Sequence, residues 1–383
     1  MKICIISNLY KENAKGGAEK VAEIMATGLD KLGHKIVVIS THDKKQAEIK
    51  TEGKQKIYRF RPRNLFYYTD LAKHNFVMRM LWHNLDMYNL TSALMVRKIL
   101  TFEKPDLVIT HNLKGLGYLT PKVIQRENIK HVHVLHDVQL VNPSGLIIKN
   151  KENHWSNKNP FYTLYKFACQ NLFRSPEIVI SPSKWLLNFY KDNQFFPKSH
   201  FLLLRNPIHQ KIAVERKNKK KNNYIFVGQL EKHKGIEWLV NNWQKKWGNL
   251  QIVGGGSLEN TPNAANCTFV GPKYDKELNS LIKNSDFLIL PSLCYENAPT
   301  VIPLAFQNAT PVIVANIGGA AELVENEKTG FSFEPGDKSS FNKVMSQIND
   351  LSNSEYESLS QACLDKTKDL SLDEYFKKFL NTI

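Results

Sequence analysis

Short apolar runs alternate with stretches of helical periodicity along almost the whole chain. Most of these runs are rich in Ile, Val, Leu and Phe, which is typical of strands buried on both faces of a parallel sheet. The predicted strands cover residues 2–7, 35–40, 58–60, 107–110, 131–135, 178–181, 202–204, 224–227, 250–253, 267–270, 286–290 and 311–314, with a short one near Phe331. Strands that alternate with helices indicate the α/β fold class.

The helical stretches fill the gaps between these strands. Apolar residues at i, i+3 and i+4 spacing predict helices over 18–32, 161–173, 236–247, 274–283, 299–308, 338–350, 353–367 and 371–383, with a further one running on towards Leu100. Gly33 is well placed to end the first of them.

A charged stretch without periodicity interrupts this alternation near the middle of the chain. It reads KIAVERKNKKKNN over residues 211–223, as expected of a linker between domains. Each half is long enough to build its own core. We therefore predict an N-terminal domain over 1–208, a basic linker over 209–223, a C-terminal domain over 224–365 and a terminal helix over 366–383.

The charge is unevenly distributed. The chain of 383 residues has a net charge of +16, with +15 in residues 1–200, +8 in 201–250 and −7 in 251–383. A basic first half suits an acidic partner such as nucleic acid, anionic lipid headgroups or a phosphate-bearing substrate. A generic solvated basic surface is the alternative interpretation.

Composition also bears on the compartment. A share of 42% hydrophobic and 23% charged residues is that of a soluble globular protein. The five cysteines are scattered without CxxC spacing, which argues against a disulfide framework or a zinc site and favours a reducing cytoplasm. The start MKICIISNLY reads as a strand and not as a signal peptide, and prolines break the longest uncharged stretch, so no transmembrane helix is expected.

Two features of the first half suggest contacts with anions. Gly16 and Gly17 lie between a strand and a helix, where free backbone N–H groups attract an anion. Neither this pair nor the triplet 254–256 completes GxGxxG, which gives dinucleotide binding little support. Residues 56–82 interleave basic and aromatic side chains, which indicates either a bilayer interface or the inner face of a helix.

Histidines end two of the predicted strands. His111 follows one strand, and the pair His136 and Asp137 follows another. Ligands of parallel sheets lie beyond the carboxyl ends of the strands, so these side chains are candidates for a site. A purely structural role is the alternative for each histidine. The polar stretch 142–159 is predicted to be a mobile loop over the site.

The second half carries a lysine and a lone carboxylate after two other strands. In GQLEKHKG, residues 228–235, Lys234 is placed to meet a phosphate group. Glu296 is followed by a stretch, 297–321, without any charged residue. It either serves a ligand or caps the helix expected to begin near Pro299. The loop 291–298 and the turn 315–319 should share one crevice because each follows a strand.

Together these stretches resemble the retaining glycosyltransferases of family 4, which have the GT-B fold. The motifs that carry the resemblance are GGAE at 16–19, HD at 136–137, SPSKW at 181–185, FVGQLEKHKG at 226–235, the segment that opens at Glu296, GGAAELV at 318–324 and TGFSFEPGD at 329–337. The resemblance covers nearly the whole chain. It implies two Rossmann-like βαβ domains that face a central cleft, with the acceptor side on the first domain, the donor side on the second and a terminal helix that crosses back.

The resemblance also implies residue roles. Lys234 would hold the donor diphosphate, Glu296 would orient the donor sugar, and His136 would line the reacting centre, which makes these three the expected catalytic residues. The acceptor side would present His111, His136 and Asp137. The donor-binding residues expected are Gly16, Gly17, Gly228, Gln229, Lys234, Gly271, Glu296, Asn297, Ala298, Pro299 and Leu304.

The chain departs from the family pattern at two positions. Gln229 stands where the family usually has an arginine that clamps the diphosphate, and Leu304 stands eight residues after Glu296, where the family has a second glutamate. No DxD occurs, so a metal-bridged diphosphate has no obvious ligands and no metal or other cofactor is expected beyond the nucleotide-sugar co-substrate.

The resemblance implies a cytoplasmic, metal-independent glycosyltransferase in the assembly of a bacterial-type surface polysaccharide such as capsule, O-antigen or lipopolysaccharide. It would move a sugar, with retention, from a nucleotide-diphosphate sugar to a saccharide or lipid-linked saccharide, at the anionic inner face of the membrane. The alternative is a catalytically weak sugar-nucleotide-binding or scaffold protein, which Gln229 and Leu304 favour. A nucleic-acid binder rests on charge alone, because no reading motif accompanies the charge, and nucleic acid is not expected as a partner.

Overall fold

The computed structural model describes residues 1–13, 16–152, 160–208, 222–259 and 266–383. In these ranges the strands form two sheets. The strands are β1 Lys2–Ile6, β2 Lys35–Thr41, β3 Glu48–Glu52, β4 Gln55–Phe60, β5 Leu107–Thr110, β6 Lys130–Val134, β7 Ile178–Ser181, β8 His200–Leu203, β9 Asn223–Val227, β10 Asn249–Val253, β11 Cys267–Gly271, β12 Phe287–Leu290, β13 Val312–Ala315 and β14 Gly330–Phe333.

Helices connect most of these strands. They are α1 Gly17–Lys31, α2 Phe76–Met87, α3 Leu90–Glu103, α4 Thr120–Arg126, α5 Pro160–Phe173, α6 Lys184–Asp192, α7 Ile236–Asn242, α8 Asp275–Asn284, α9 Val301–Gln307, α10 Gly318–Ala321, α11 Lys338–Asp350, α12 Asn353–Asp369 and α13 Leu372–Leu380. Short 3₁₀ helices cover Lys11–Asn13, Tyr68–Lys73, Lys232–Lys234 and Lys245–Trp247.

The first sheet has the strand order β3-β4-β2-β1-β5-β6-β7-β8. All neighbouring strands run parallel except β3 and β4, which form an antiparallel hairpin at one edge. The strand order reverses between β1 and β5. Strands β2 to β4 lie on one side of β1, and strands β5 to β8 lie on the other. The loops that follow β1 and β5 therefore flank the switch point, where ligands of such sheets bind.

The second sheet has the order β11-β10-β9-β12-β13-β14, and all of its strands are parallel. Its order reverses between β9 and β12. Both faces are covered, because Tyr224 and Phe226 of β9 belong to one apolar cluster and Ile225 belongs to another. This confirms the buried parallel strands that the uninterrupted apolar runs predict.

The chain divides into two compact units that are interleaved in sequence. The first comprises residues 1–145, 154–205 and 376–383, and the second comprises 146–153 and 206–375. In the first unit Phe376 of α13 lies against Gly28 of α1, where a side chain on Gly28 would collide with the phenyl ring. The predicted boundaries did not assign residues 146–152 to the second half, and most of the predicted linker, 209–221, lies outside the described residues.

Several predicted elements differ from the structure. The helix expected to run on towards Leu100 is two helices, because Asn89 caps α3 by accepting a hydrogen bond from the Ser92 amide at 3.0 Å. The predicted terminal helix 366–383 is also divided, since residues up to Asp369 complete α12. Strand β3 was missed because its sequence, EIKTE, is charged and largely exposed at a sheet edge. No helix in the described ranges is both long and apolar enough to cross a bilayer.

Candidate functional site

The predicted donor residues of the second unit meet at the switch point of its sheet. Lys234 lies in the loop after β9, and Glu296 lies in the loop after β12, the neighbouring strand. The two loops are joined by a hydrogen bond from the Leu293 amide to the His233 carbonyl oxygen at 2.9 Å. Two stretches that are 62 residues apart in sequence are thus brought into contact.

An ion pair is the centre of this site. The Lys234 Nζ atom donates to Glu296 Oε1 at 2.7 Å, and Ser292 Oγ donates to the same oxygen at 2.8 Å. Burial alone would lower the pKa of Lys234, but the Glu296 carboxylate keeps the pKa above its ordinary value. Lys234 is therefore a fixed cation, and Glu296 does not cap the helix as the alternative interpretation proposed.

Two glycines allow the loops to come this close. Gly235 has φ +74°, and a Cβ there would lie 1.9 Å from the Pro291 carbonyl oxygen. Gly318 has φ +64°, and a Cβ there would lie 2.5 Å from the Glu296 carbonyl oxygen, which also accepts from the Gly319 amide at 2.7 Å. Only glycine suits such positions. The predicted sharing of one crevice by the loop 291–298 and the turn 315–319 is confirmed, although Gly318 and Gly319 open the short helix α10.

A segment from the first half of the sequence, residues 146–152, supports the Glu296 loop. We call it the strap. Its Lys149 amide donates to the Leu293 carbonyl oxygen at 2.9 Å, and its Ile147 carbonyl oxygen accepts from the Tyr295 amide at 2.9 Å. The Tyr295 hydroxyl donates to Glu152 Oε1 at 2.8 Å. The strap is thus hydrogen-bonded to the Glu296 loop. The mobility predicted for 142–159 stays a prediction, and 153–159 lie outside the described residues.

The donor residues named from the family occupy different environments. The Gly228 amide donates to the Val253 carbonyl oxygen at 3.1 Å, so this amide is engaged in the sheet. The amide of the next residue, Gln229, donates to no acceptor in the described part of the chain. It is therefore an amide in this loop that is open to a diphosphate. Gly271 ends β11 at φ +77°, and Leu304 packs partly buried on the apolar cluster beneath α9. Ala298 accepts from the Asn206 side chain at 3.3 Å, and Asn297 and Pro299 complete the loop.

In the first unit Gly16 and Gly17 begin α1, as predicted, but an internal carboxylate already serves this helix start. A Cβ on Gly16 would lie 3.0 Å from Glu19 Oε2. Burial raises the pKa of Glu19, while hydrogen bonds from the backbone at Glu19 and Gly16 oppose the rise. An incoming phosphate at these amides would have to displace this carboxylate, which sequence reasoning did not reveal although GGAE contains it.

His111 and His136 come together after β5 and β6. His111 Nδ1 and His136 Nε2 are 2.9 Å apart, and the rings stack with centroids 5.1 Å apart. Burial lowers the pKa of His136 to about 4 and that of His111 well below its ordinary value. Both rings are therefore neutral at pH 7, and one must donate to the other.

Asp137 belongs to a wider group of buried titratable side chains that the sequence did not reveal. Burial raises the pKa of Asp137 to about 6 and that of Asp86 on α2 to about 7. Burial also lowers the pKa of Lys114, although the charges of Asp86 and Asp137 oppose this lowering. Burial raises the pKa of Tyr68 to about 12, and the negative charges of Glu19, Asp137 and Asp86 add to this rise. Such shifts concentrate at functional sites. No three metal-ligating side chains gather in the described ranges.

Comparison with known proteins places these features in a family. The model "Glycosyltransferase Family 4" matches residues 15–210, half of the chain, and "Glycosyl transferases group 1" matches 208–363. An uncharacterized 42.6 kDa protein in the cps region of Klebsiella pneumoniae is 23% identical over 329 residues, which is 84% of this chain and 87% of that protein.

Two characterised proteins are also similar. The Escherichia coli UDP-Gal:alpha-D-GlcNAc-diphosphoundecaprenol alpha-1,3-galactosyltransferase is 30% identical over 147 residues, 34% of this chain and 38% of that protein. The structure of Anabaena Alr3699/HepE in complex with UDP-glucose superposes with a TM-score of 0.68 at 15% identity, over 100% of this chain and 99% of that one. This likeness shows the fold. The chain belongs to glycosyltransferase family 4 and has the two-domain α/β architecture of the GT-B fold.

Proposed function

We propose that this glycosyltransferase moves a sugar, with retention, from a nucleoside diphosphate sugar to a saccharide or lipid-linked saccharide in surface polysaccharide assembly. The observation that carries the proposal is the Lys234–Glu296 pair at the switch point of the second sheet. The relative from a cps region and the relative that acts on a diphosphoundecaprenol-linked sugar support the pathway and the acceptor class.

The site suits the departure of a nucleoside diphosphate. As the glycosyl bond breaks, the diphosphate gains negative charge, and a fixed cation that meets this charge lowers the barrier more than it stabilises the bound substrate. Lys234 is that cation. The diphosphate competes with Glu296 for the ammonium group, and Glu296 is then available to accept hydrogen bonds from hydroxyls of the donor sugar.

The first unit contributes neutral hydrogen-bonding groups. We assign His136 to a hydroxyl of the reacting sugars, because a neutral ring held by His111 can donate or accept without adding a charge. Asp137 and Lys114 are assigned to the acceptor. We also propose that transfer needs no metal, since Lys234 supplies positive charge at the diphosphate.

The experiment incubates the protein with a panel of nucleotide sugars and measures release of the nucleoside diphosphate, with and without a chelator. Release from one donor that continues in the chelator supports both proposals. Release that stops in the chelator and returns with added Mg²⁺ or Mn²⁺ would contradict metal independence. Tight donor binding without release would favour the binding or scaffold protein that Gln229 and Leu304 suggest.

Leu304 leads to a prediction about the nucleotide. An aliphatic side chain cannot accept hydrogen bonds from the ribose hydroxyls as a glutamate would, so no carboxylate is left unpaired when one hydroxyl is absent. We expect a deoxyribose nucleoside diphosphate to bind within about fivefold of its parent, roughly 1 kcal/mol, by calorimetric titration. The nucleoside monophosphate is the control and should bind more weakly because Lys234 loses a partner. A loss above about thirtyfold for the deoxy compound would show that another side chain, such as Glu322, reads the ribose.

Two interpretations were open for the basic and aromatic segment 56–82, a bilayer interface and the inner face of a helix, and its residues show features of both. Trp82 is buried and its Nε1 donates to the Phe66 carbonyl oxygen at 2.8 Å, as in a packed helix face. On the other face of α2, four large apolar side chains are exposed to solvent, namely Phe76, Val77, Leu81 and Leu85. Arg59 is buried beside Glu12, whereas Arg61 and Arg63 are exposed. We propose that this exposed face of α2 and its flanking arginines rest on an anionic membrane on the cytoplasmic side.

We expect the protein to co-sediment with vesicles that contain anionic lipid and to dissociate as salt rises, because surface charges are screened. The variant replaces Arg61, Arg63 and Arg79, an exposed arginine of α2, by Ala. It should lower the membrane partition constant at least tenfold, since each cation near the surface contributes about 1 kcal/mol. Substituting the exposed Lys276, Lys283 and Lys343 of the second unit is the matched control. Equal loss in both triple variants, or no binding at low salt, would contradict this membrane face.

A further inference from the structure

An apolar groove lies in the first unit between the β3–β4 hairpin and α3. Its volume is about 760 Å³, within the range of small-molecule sites. Its walls include Ile49 of β3, Tyr58 and Phe60 of β4, and Leu94 and Phe102 of α3. No part of the function proposed above uses this groove.

The large side chains of this groove are left open to water. The exposed fractions are 63% for Ile49, 55% for Leu94 and 72% for Phe102. Contiguous exposed apolar surface of this kind marks a site of interaction. Leu94 and Phe102 belong to α3, the helix that follows α2 in sequence.

The charged side chains that border the groove are mostly cationic: Arg59, Arg97 and Lys98 lie there beside one carboxylate, Glu48. Lys56 Nζ lies 5.1 Å from the centre of the Phe102 ring and also donates to Glu103 Oε1 at 2.6 Å. Arg97 is paired with Glu127 at 2.7 Å, and Lys98 has no recorded acidic partner in the described ranges. Arg59 and Glu48 also border the groove, but the Arg59 side chain is directed to Glu12, on the other side of the hairpin. Lys98 is thus the cation at the rim that is available to an anion.

We propose that this groove binds the hydrocarbon chain of a lipid-linked acceptor, with the phosphate of that acceptor near Lys98. The inference rests on the proposed function for its acceptor class. A flexible chain suits a long apolar groove, and the phosphate complements the rim. A second copy of this protein is disfavoured because a two-fold contact would place the same cationic rims against each other.

The test measures binding of a long-chain polyisoprenyl monophosphate in non-ionic detergent, with geranyl phosphate as the short-chain comparison. The groove variant is Leu94→Ser with Phe102→Ser, whose exposed positions should not disturb the core. The matched control is Leu164→Ser with Phe167→Ser on α5, where the exposed fractions are 67% and 61%. We expect the groove variant to lose at least about tenfold in affinity for the long-chain phosphate, and the control variant to bind like the wild type.

A third variant, Lys98→Ala, addresses the phosphate. It should lower affinity for the polyisoprenyl phosphate several-fold and leave affinity for the corresponding alcohol unchanged. An unchanged groove variant would overturn the proposal. If detergent-dispersed phosphatidylglycerol competed equally well with the polyisoprenyl phosphate, the groove would be a general lipid contact and the proposal would fail. The proposal would also fail if the protein formed a dimer that the groove variant abolishes.

The experiment contains no sugar transfer, so its outcome is separate from that of the proposed function. Diphosphate release that fails while the long-chain phosphate binds would refute the transferase assignment and leave the groove. Normal release with no groove binding would refute the groove alone.

Discussion

Replacing Lys234 by Ala is expected to lower the rate of sugar transfer at least tenfold, and replacing Glu296 by Gln should do the same. A tenfold loss corresponds to about 1.4 kcal/mol of barrier. The first variant removes the cation that meets the developing charge of the diphosphate. The second removes the negative charge that holds Lys234 but keeps an oxygen that can accept from Ser292 Oγ. Initial rates at saturating donor and acceptor measure both effects.

The matched control is Lys232→Ala, in the same 3₁₀ helix. The Lys232 side chain is 76% exposed and pairs with Glu237 at 3.6 Å, so its loss should change neither rate nor fold. Circular dichroism at the assay temperature separates lost chemistry from lost structure, because removing one partner of a largely buried pair also destabilises the protein. Folded Lys234→Ala and Glu296→Gln proteins with full activity would mean that the donor diphosphate binds elsewhere.

Asp86→Asn is expected to stabilise the protein relative to the wild type, and to do so more at pH 8 than at pH 5. Burial raises the pKa of Asp86 from 3.8 to about 7, so the folded state binds more protons than the unfolded state between these values. The stability of the wild type therefore falls as pH rises through this window, and the Asn variant is free of this penalty. Asn can still accept the hydrogen bond from the Gly115 amide, which is 2.8 Å from Asp86 Oδ2.

The expected difference is large enough to measure directly. Between pH 5 and pH 8 the gain from Asp86→Asn should grow by roughly 2 to 3 kcal/mol, most of it below pH 7. Urea unfolding of both proteins at pH 5 and pH 8 gives the free energies. Asp350→Asn, at an exposed position at the end of α11, is the control for the loss of a surface carboxylate. A gain that is equal at pH 5 and pH 8 for Asp86→Asn would show that this carboxylate is not forced to ionise in the folded protein.

The sequence predicted most strands well because they are apolar runs, and those in the middle of each sheet are buried. It could not predict β3, because these residues form a strand by pairing with β4 and not by being buried. It also could not predict that Asn89 would divide one helical stretch, because the break depends on a side chain turning back to cap α3.

The donor site was foreseeable for a similar reason. Lys234 and Glu296 follow apolar strands, and parallel strands bring their carboxyl ends to one edge. That the Gly228 amide is taken up by the Val253 carbonyl oxygen was not foreseeable, because sheet pairing with β10 extends one residue beyond the strand, a detail of register. The group around Asp86 and Asp137 was missed because only the fold brings its members together. They come from α1, α2, the 3₁₀ helix Tyr68–Lys73 and the loops after β5 and β6.

The exchange of segments between the halves of the chain bears on how the protein is made. The first unit lacks Phe376 against Gly28 until the whole of the second unit has been synthesised. The Glu296 loop, by contrast, receives a strap that was synthesised long before it. Folding of the N-terminal half can therefore begin early in translation but can be completed only after the second unit has been made. If the gene were cut at the apparent linker, the N-terminal fragment would contain the strap, which belongs to the second unit. The C-terminal fragment would contain residues 376–383, which belong to the first unit.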